Sequence, residues 1–313
     1  MKNPFPYTLD NKRYQTFNYF AKKTYGDKTF KVGIDAGFTC PNRDGKVAHG
    51  GCIFCSAFGS GDMILNSDDI EKQIQHSTKI MENKWPDAKR IAYFQAYSNT
   101  YAPLAKLKEL YNPFFEDDRF VGIDIATRSD CLDDEKIAYF AKMAKKKDLT
   151  IEIGLQSIHH RTGEWMNRGH DLASVDAVVK KLKAANIRTC VHIINGFPYE
   201  TYEMMMDTAR YVSKLNPDMI KIHMLHVIKP SVLGIQYLKE PFPLLSMEAY
   251  VSLVVDQIEI LPQEMVIARL TGDGVADDLL APMWTKKKTI VLNEIDKLMV
   301  KRNTWQGKYH DVA

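Results

Sequence analysis

The sequence predicts an α/β protein, a partial (βα)6 barrel of the TIM type with a C-terminal helical extension. From residue 30 onward, short runs of apolar and β-branched residues alternate with amphipathic helical segments. Near-continuous apolar strands between helices are typical of a parallel sheet covered on both faces. Six such units fit a partial barrel. The first unit is followed by a cysteine-rich loop, in the position where such barrels gather their chemistry.

Seven segments have the composition and length of strands, the last less clearly than the others. They are residues 30–36, 91–96, 120–126, 149–155, 189–194, 219–226 and 265–270. The helical period between them is clearest in the stripe formed by Val175, Val178, Val179 and Leu182.

Helix ends and loops follow from local residue chemistry. Ser67 or Asp68 is expected to cap the helix after the cysteine loop, and Thr201 the helix after the fifth strand. After residue 226 the pattern loosens, so residues 229–231 and 240–243 are expected to be connecting loop. Two further helices are predicted at 247–260 and 287–302.

The organisation predicted from these elements has three parts: an N-terminal extension (1–29), a core barrel (30–230) and a C-terminal extension closing the barrel (231–313).

The chain has 313 residues, 45% hydrophobic and 26% charged, which is ordinary for a soluble enzyme. Its net charge of +3 permits an acidic partner such as RNA without requiring one. No secretory signal and no apolar run of about 20 residues is visible, so we expect a cytoplasmic protein without membrane contact.

The loop from residue 40 to residue 55 carries three of the five cysteines, Cys40, Cys52 and Cys55. A structural zinc site takes four closed ligands, and electron-transfer iron–sulfur clusters usually take four cysteines. Three thiolates therefore favour a [4Fe–4S] cluster with one iron left open. A zinc site completed by His49 is the alternative, while a disulfide is disfavoured by the absence of a secretory context.

A strand followed by a loop that ends Cys-x-aromatic-Cys, with Phe54 as the aromatic residue at the cofactor, resembles the radical S-adenosylmethionine (SAM) enzymes. Eleven residues separate Cys40 from Cys52, where the superfamily usually has three, and this extension resembles its Elongator-like branch. The phrase from Asp35 to Gly45, DAGFTCPNRDG, looks like a bacterial family acting on the tRNA wobble uridine side chain, the MnmL or YtqA/YhcC-like family.

The resemblance implies a radical SAM barrel that binds a [4Fe–4S] cluster and SAM at the strand ends. After the second strand, Gln95 and Ser98 are candidates for SAM contacts, although the glycines found there in related enzymes are missing. Asp124 in the third strand looks like the acidic residue that some relatives place near SAM. A structural ion pair with Arg128 is the competing interpretation, because a buried carboxylate is costly when unpaired.

The later strand ends complete the implied cofactor site. The segment Gly154-Leu-Gln156-Ser157 resembles a superfamily signature whose glutamine contacts SAM, and Arg168, in Asn-Arg-Gly-His, is expected near the SAM carboxylate. Gly196 would let backbone approach the adenine. The roles of three histidines on the fifth and sixth strands stay open: His192, at a position often acidic in related enzymes, and His223 and His226, because alternation does not identify the inward face.

By resemblance, the expected function is reductive cleavage of SAM to a 5′-deoxyadenosyl radical. The implied substrate is the 5-carboxymethylaminomethyl side chain of tRNA wobble uridine, shortened towards aminomethyl. A reductant such as flavodoxin or ferredoxin is the implied electron donor. Two alternatives remain: a radical SAM enzyme acting on a protein or small metabolite, and a non-enzymatic Fe–S or zinc regulatory module.

Overall fold

The structure, a computed structural model, describes residues 5, 7, 12–56, 58–59, 61, 64–272 and 276–310. The chain packs as two compact units. The first, here called the cysteine-loop unit, comprises Ala21–Gly154 and Asn167–Cys190. The second, the terminal unit, comprises Met1–Phe20, Leu155–Met166 and Val191–Ala313. The predicted division at residues 29/30 and 230/231 stays a prediction.

The described elements alternate strand and helix through most of the chain. The strands are β1 (Thr29–Ile34), β2 (Lys89–Phe94), β3 (Phe120–Thr127), β4 (Asp148–Gln156), β5 (Arg188–Asn195), β6 (Met219–Met224), β7 (Val227–Ile228), β8 (Val266–Arg269) and β9 (Leu279–Ala281). The helices are α1 (Phe17–Tyr25), α2 (Ile70–Glu82), α3 (Leu104–Glu116), α4 (Asp134–Ala144), α5 (His160–Trp165), α6 (Leu172–Ala184), α7 (Tyr202–Leu215), α8 (Val232–Lys239), α9 (Met247–Ile260) and α10 (Lys288–Lys301).

Seven of the strands form one sheet in the order β1-β2-β3-β4-β5-β6-β8. All seven were predicted, within about two residues at each end, and the predicted α/β class is confirmed. The register places Gly33 beside Tyr93 and Tyr93 beside Asp124, so these residues share one face of the sheet. Their neighbours Val32, Ala92 and Ile123 point to the opposite face and are fully buried.

In the cysteine-loop unit, aromatic packing holds the helices on the buried face. The Phe94 ring lies edge-on to Tyr111 and to Phe114, with centroids 4.9 Å apart in both pairs. Aromatic pairs prefer this edge-to-face geometry. The Asn99 amide donates to the carbonyls of Phe94 (3.2 Å), Ala96 (3.0 Å) and Ala126 (2.9 Å). It therefore joins the ends of β2 and β3.

In the terminal unit, α7 and α9 pack through apolar side chains, and β6 pairs in parallel with β8. Asn195 at the end of β5 exchanges two hydrogen bonds with Gln257 of α9, at 2.8 and 3.0 Å. Such a fully paired buried amide fixes the position of a strand end.

Residues 229–231 are loop, as predicted, but sequence analysis missed the helix that follows, α8, which Ser231 caps by accepting a hydrogen bond from the Gly234 backbone. Two sequence-based expectations were wrong. The cap of α2 is Asp69, one residue beyond the predicted Asp68. The sixth strand ends at Met224, because the chain then turns into the β7–β9 antiparallel pair.

The Thr201 cap of α7 is confirmed. The apolar stripe of α6 is also confirmed, since its four predicted residues are buried. Among the described residues, no helix is both long and apolar enough to cross a bilayer.

Candidate metal centre

The three loop cysteines lie between β1 and α2 in the cysteine-loop unit. Backbone turns shape the loop: Arg43 N donates to Cys40 O at 2.8 Å, and Cys55 N donates to Cys52 O at 3.0 Å. Gly51 has a positive φ of 79°, and a Cβ there would lie 2.8 Å from Nε of Arg43. Only glycine leaves room for that turn.

Two asparagines tie this loop to the turn before α6. The Asn42 amide donates to Cys52 Sγ at 3.6 Å and to the backbone carbonyl of Asn167. In return, the Asn167 amide donates to the carbonyls of His49 (3.1 Å) and Gly51 (2.8 Å). The loop is therefore held at both ends of its long first spacing, close to the predicted Arg168.

Polar and cationic groups surround the thiols. Ser98 Oγ donates to Cys40 Sγ at 3.6 Å. A hydrogen bond from Cys55 lowers the pKa of the Cys52 thiol, and Arg128, Asn42 and Arg168 lower it further. Metal binding requires the thiolate form, so this environment favours the form in which Cys52 could bind a metal.

The Cys55 thiol has the opposite shift. Its hydrogen bond to Cys52 and its burial raise its pKa well above the usual value. A metal centre bound by both thiols would displace their protons.

The donor set fits a cluster better than a single zinc ion. Among the described residues, His49 and the three loop thiols do not form a group whose ligand atoms all lie within 4.8 Å. His49 is exposed, and its ring lies against Gly45. A closed zinc site needs four ligands around one ion. Three soft thiolates suit an iron–sulfur cluster with one open iron.

The other two cysteines lie outside the cysteine loop. Cys131 and Cys190 are buried, as expected. Burial and the Asp130 charge raise the pKa of Cys131 to about 12, which keeps its thiol protonated and unreactive.

Asp124 lies in an ion-pair network on one face of the sheet. Lys31 Nζ lies 2.5 Å from Asp124 Oδ2 and 2.8 Å from Glu152 Oε1. The Tyr93 hydroxyl donates to Glu152 Oε2 at 2.9 Å. The counter-charge suggested by the sequence was wrong: Arg128 pairs with Asp130 at 2.8 Å, and Lys31 takes its place. The role of Asp124 towards SAM stays a prediction.

The structure brings several predicted residues near the thiols. Ser98 contacts Cys40, and the positive charge of Arg168 acts on Cys52. Arg168 is buried, and its backbone carbonyl accepts a hydrogen bond from Arg128 at 2.6 Å. Phe54 lies half-buried between the last two cysteines. Gln95 follows β2, with its side chain close to Gly33 of β1.

The remaining two predicted residues belong to the terminal unit. Gln156 ends β4 with a positive φ of 62°, which is uncommon for a side-chain-bearing residue. Gly196 follows β5 with φ of 100°, and its N–H faces Met205 Sδ at 3.2 Å. Strained backbone at a strand end is common at functional sites, so both stay predictions for SAM binding.

Sequence reasoning missed the contributions of Asn42, Asn167 and Lys31. Asn42 and Asn167 both stood in quoted motifs, CPNRDG and NRGH, yet nothing local indicates that they pair across more than one hundred residues. The signal available for Lys31 was a lysine inside a buried strand, which demands a carboxylate partner.

Comparisons with known families match most of the chain. The radical SAM superfamily profile matches residues 42–212, and a radical SAM C-terminal domain matches residues 217–301. YtqA of Bacillus subtilis is 47% identical over 98% of this chain and 96% of its own length. YhcC of Escherichia coli is 29% identical, covering 88% of this chain and 89% of its own.

More distant similarities involve tRNA enzymes and other radical SAM structures. A tRNA uridine(34) acetyltransferase of Methanocaldococcus jannaschii is 23% identical over 50% of this chain and 29% of its own. Among solved structures, Methanocaldococcus infernus Elp3 superposes with a TM-score of 0.64 at 17% identity, covering 89% of this chain and 64% of that one. Methylornithine synthase superposes with a TM-score of 0.50 at 13% identity, covering 94% and 88%. These likenesses confirm the predicted radical SAM fold with its C-terminal helices.

Proposed function

The chain belongs to the radical SAM superfamily and groups with YtqA and YhcC, and from this premise we propose that it modifies tRNA. The proposed substrate is the 5-carboxymethylaminomethyl side chain of wobble uridine, shortened towards aminomethyl. The superfamily uses a [4Fe–4S] cluster and SAM with an external reductant. We propose Cys40, Cys52 and Cys55 as the cluster ligands.

The observation that carries the tRNA proposal is the sequence similarity to enzymes that act on tRNA uridine 34. Two tRNA uridine(34) acetyltransferases share 23% identity with this chain over 158 residues. The DAGFTCPNRDG segment supports the same substrate through its resemblance to the family acting on wobble uridine. Uridine 34 is a single-stranded loop base, the kind of target that proteins read by splaying it out of its stack.

When bound, the cluster and SAM supply a one-electron route to hydrogen abstraction from an unactivated carbon. The chain's own residues position these groups. Asn42 and Asn167 hold the loop so that Cys52 and Cys55 stay side by side. Arg168, buried and cationic, is suited to neutralise a carboxylate next to the thiols.

The end of the chain offers basic side chains to an RNA backbone. Lys286 and Lys287 are exposed beside the start of α10. Two other cations of this segment are already engaged: Arg302 pairs with Asp256, and Lys308 lies 5.1 Å from the centre of the Trp305 ring. RNA contact would therefore rest mainly on Lys286 and Lys287, which makes it sensitive to salt.

The proposal is tested by the anticodon nucleosides of cells with and without the gene. We expect carboxymethylaminomethyluridine to accumulate, and aminomethyluridine and its derivatives to fall, when the gene is deleted. Re-expression of the wild type should restore the profile, and Cys55→Ala should not. An unchanged uridine profile would remove the tRNA proposal. Turnover of SAM with a protein or small metabolite instead would support the rival substrate class.

A further inference from the structure

A cluster of basic side chains in the terminal unit is not used by the site described above. Lys221 and His223 stand two residues apart on β6 and so point to the same face of the sheet. Their neighbours Ile220 and Ile222 are fully buried on the other face. Lys221 is the register partner of Arg269 on β8.

The cluster extends to β5 through a pair of imidazoles. The rings of His192 and His223 have centroids 5.6 Å apart and planes inclined by 38°. His223 Nε2 is buried and has no hydrogen-bond partner among the described residues. A buried polar atom without a partner is costly and needs an explanation, for which a ligand is one of the few available.

The electrostatic surroundings of His223 are basic. Burial lowers its pKa well below the usual value, and the charges of His192, Arg269 and Lys221 lower it further. Its ring is therefore neutral at physiological pH and can donate one N–H. Lys288, at the start of α10, has its own pKa lowered by burial and by Arg269. Several basic groups thus converge on one region of the terminal unit.

We propose that Lys221, His223 and Arg269 form an oxyanion site that holds the carboxylate of the substrate's side chain. This inference rests on the proposed function, because the carboxymethylaminomethyl group ends in a carboxylate. Charge-assisted hydrogen bonds from a guanidinium or ammonium group are the strong ones for such a ligand. Since Lys221 is only 3% exposed, the ligand must reach it at the end of a thin arm. A terminal carboxylate has one chain attached to it, whereas an internal phosphodiester of RNA has a ribose on each side, so the carboxylate is the better match for so buried a lysine.

The first test measures oxyanion binding without catalysis. Holoenzyme labelled with 15N in its histidine rings is titrated with acetate, with N-methylglycine and with inorganic phosphate. His223→Gln assigns the His223 signal. We expect acetate and N-methylglycine to shift that signal saturably. Lys221→Met should weaken this binding about tenfold or more, the effect of one charged hydrogen bond.

Lys239→Met, at the exposed end of α8, is the matched control and should leave the titration unchanged. Lys221→Arg keeps the charge and should restore most of the binding. No saturable shift at His223 would overturn the inference. Phosphate binding as tight as acetate binding would show that the site does not select a carboxylate and would also count against the proposal.

The second test uses tRNA affinity in the absence of reductant, at fixed salt. The wild type should bind tRNA with carboxymethylaminomethyluridine about tenfold more tightly than tRNA with aminomethyluridine. Lys221→Met should lose this preference while its far-UV circular dichroism and its iron content match those of the wild type, which shows that it folds. A preference that survives in Lys221→Met would refute the site. If no tRNA binds but the acetate titration holds, the proposed function fails and the oxyanion site stands for another carboxylate substrate.

Discussion

Replacing Lys31 by methionine isolates one buried charge network and has a predictable effect on stability. Lys31 lies between two carboxylates, and the side chains of Asp124 and Glu152 are only 6% and 1% exposed. Removing one partner of a buried ion pair costs about 3–5 kcal/mol, because the remaining charge stays buried without compensation. The Tyr93 hydroxyl still donates to Glu152, so we expect a loss near the lower end, about 3 kcal/mol.

The measurement is urea unfolding of Lys31→Met beside the wild type, both purified anaerobically. Lys79→Met on the exposed face of α2 is the matched control and should change the free energy of unfolding by less than about 0.5 kcal/mol. The double variant Lys31→Met/Glu152→Gln should recover part of the loss, because it removes one of the two stranded carboxylates.

A Lys31→Met protein as stable as the Lys79→Met control would refute this reasoning. It would mean that Asp124 and Glu152 are neutral or hydrated rather than held by the lysine. A double variant that is less stable than Lys31→Met alone would also contradict it, since the glutamine would then cost more than the unpaired charge.

Three further predictions concern the loop thiols, the packing of Gly169 against Asn42 and the buried His226. Anaerobic wild-type protein should carry about four iron atoms and as many sulfides per chain; Cys55→Ala should lose most of both, whereas Cys190→Ala should keep them, and equal iron in the two variants would contradict the ligand assignment. Gly169→Ala should lose about 2 kcal/mol of unfolding free energy, because φ is +74° and the new Cβ would lie 2.3 Å from Asn42 Oδ1. The control Gly26→Ala has φ of +80° with open space around it and should lose about 1 kcal/mol; equal losses would remove the contact as a cause. The pKa of His226, lowered to about 4 by burial and by Lys288, keeps its ring neutral from pH 5 to 8 in an NMR titration. Its contribution to stability should be complete above pH 6.5 and decline as pH falls towards 4, since the unfolded state then binds the proton more tightly; a midpoint near 6.5 would show that the ring is solvated.

Short apolar runs predicted the strands, because each buried strand needs such a run whatever the rest of the chain does. The same reasoning missed α8, although its cap was visible. Ser231 directly follows Pro230, and the pair reads as a turn. The helix begins immediately after it and leaves Val232, Ile235 and Leu238 exposed. A helix with so much exposed apolar surface lacks the clear amphipathic stripe that sequence reasoning depends on.

The partners of charged residues were harder to predict than the strands. A buried carboxylate at position 124 predicts some counter-charge, and Arg128 was the nearest cation along the chain. The sheet register decides otherwise. Parallel pairing runs from β1 through β2 to β3, so a lysine on β1 can reach across the face to Asp124. Sequence distance carries no information about that register.

The long spacing between the first two loop cysteines also acquires a physical explanation. The residues inserted there contain the acceptors that the Asn167 amide uses, at His49 and Gly51, and the donor that contacts Cys52, on Asn42. A three-residue spacing would end before His49 and Gly51 and so would lack the acceptors for Asn167. The extension therefore also connects the loop by hydrogen bonds to the turn that carries Arg168. A substitution of Asn42 or Asn167 should therefore alter the positions of the thiols and of Arg168 together.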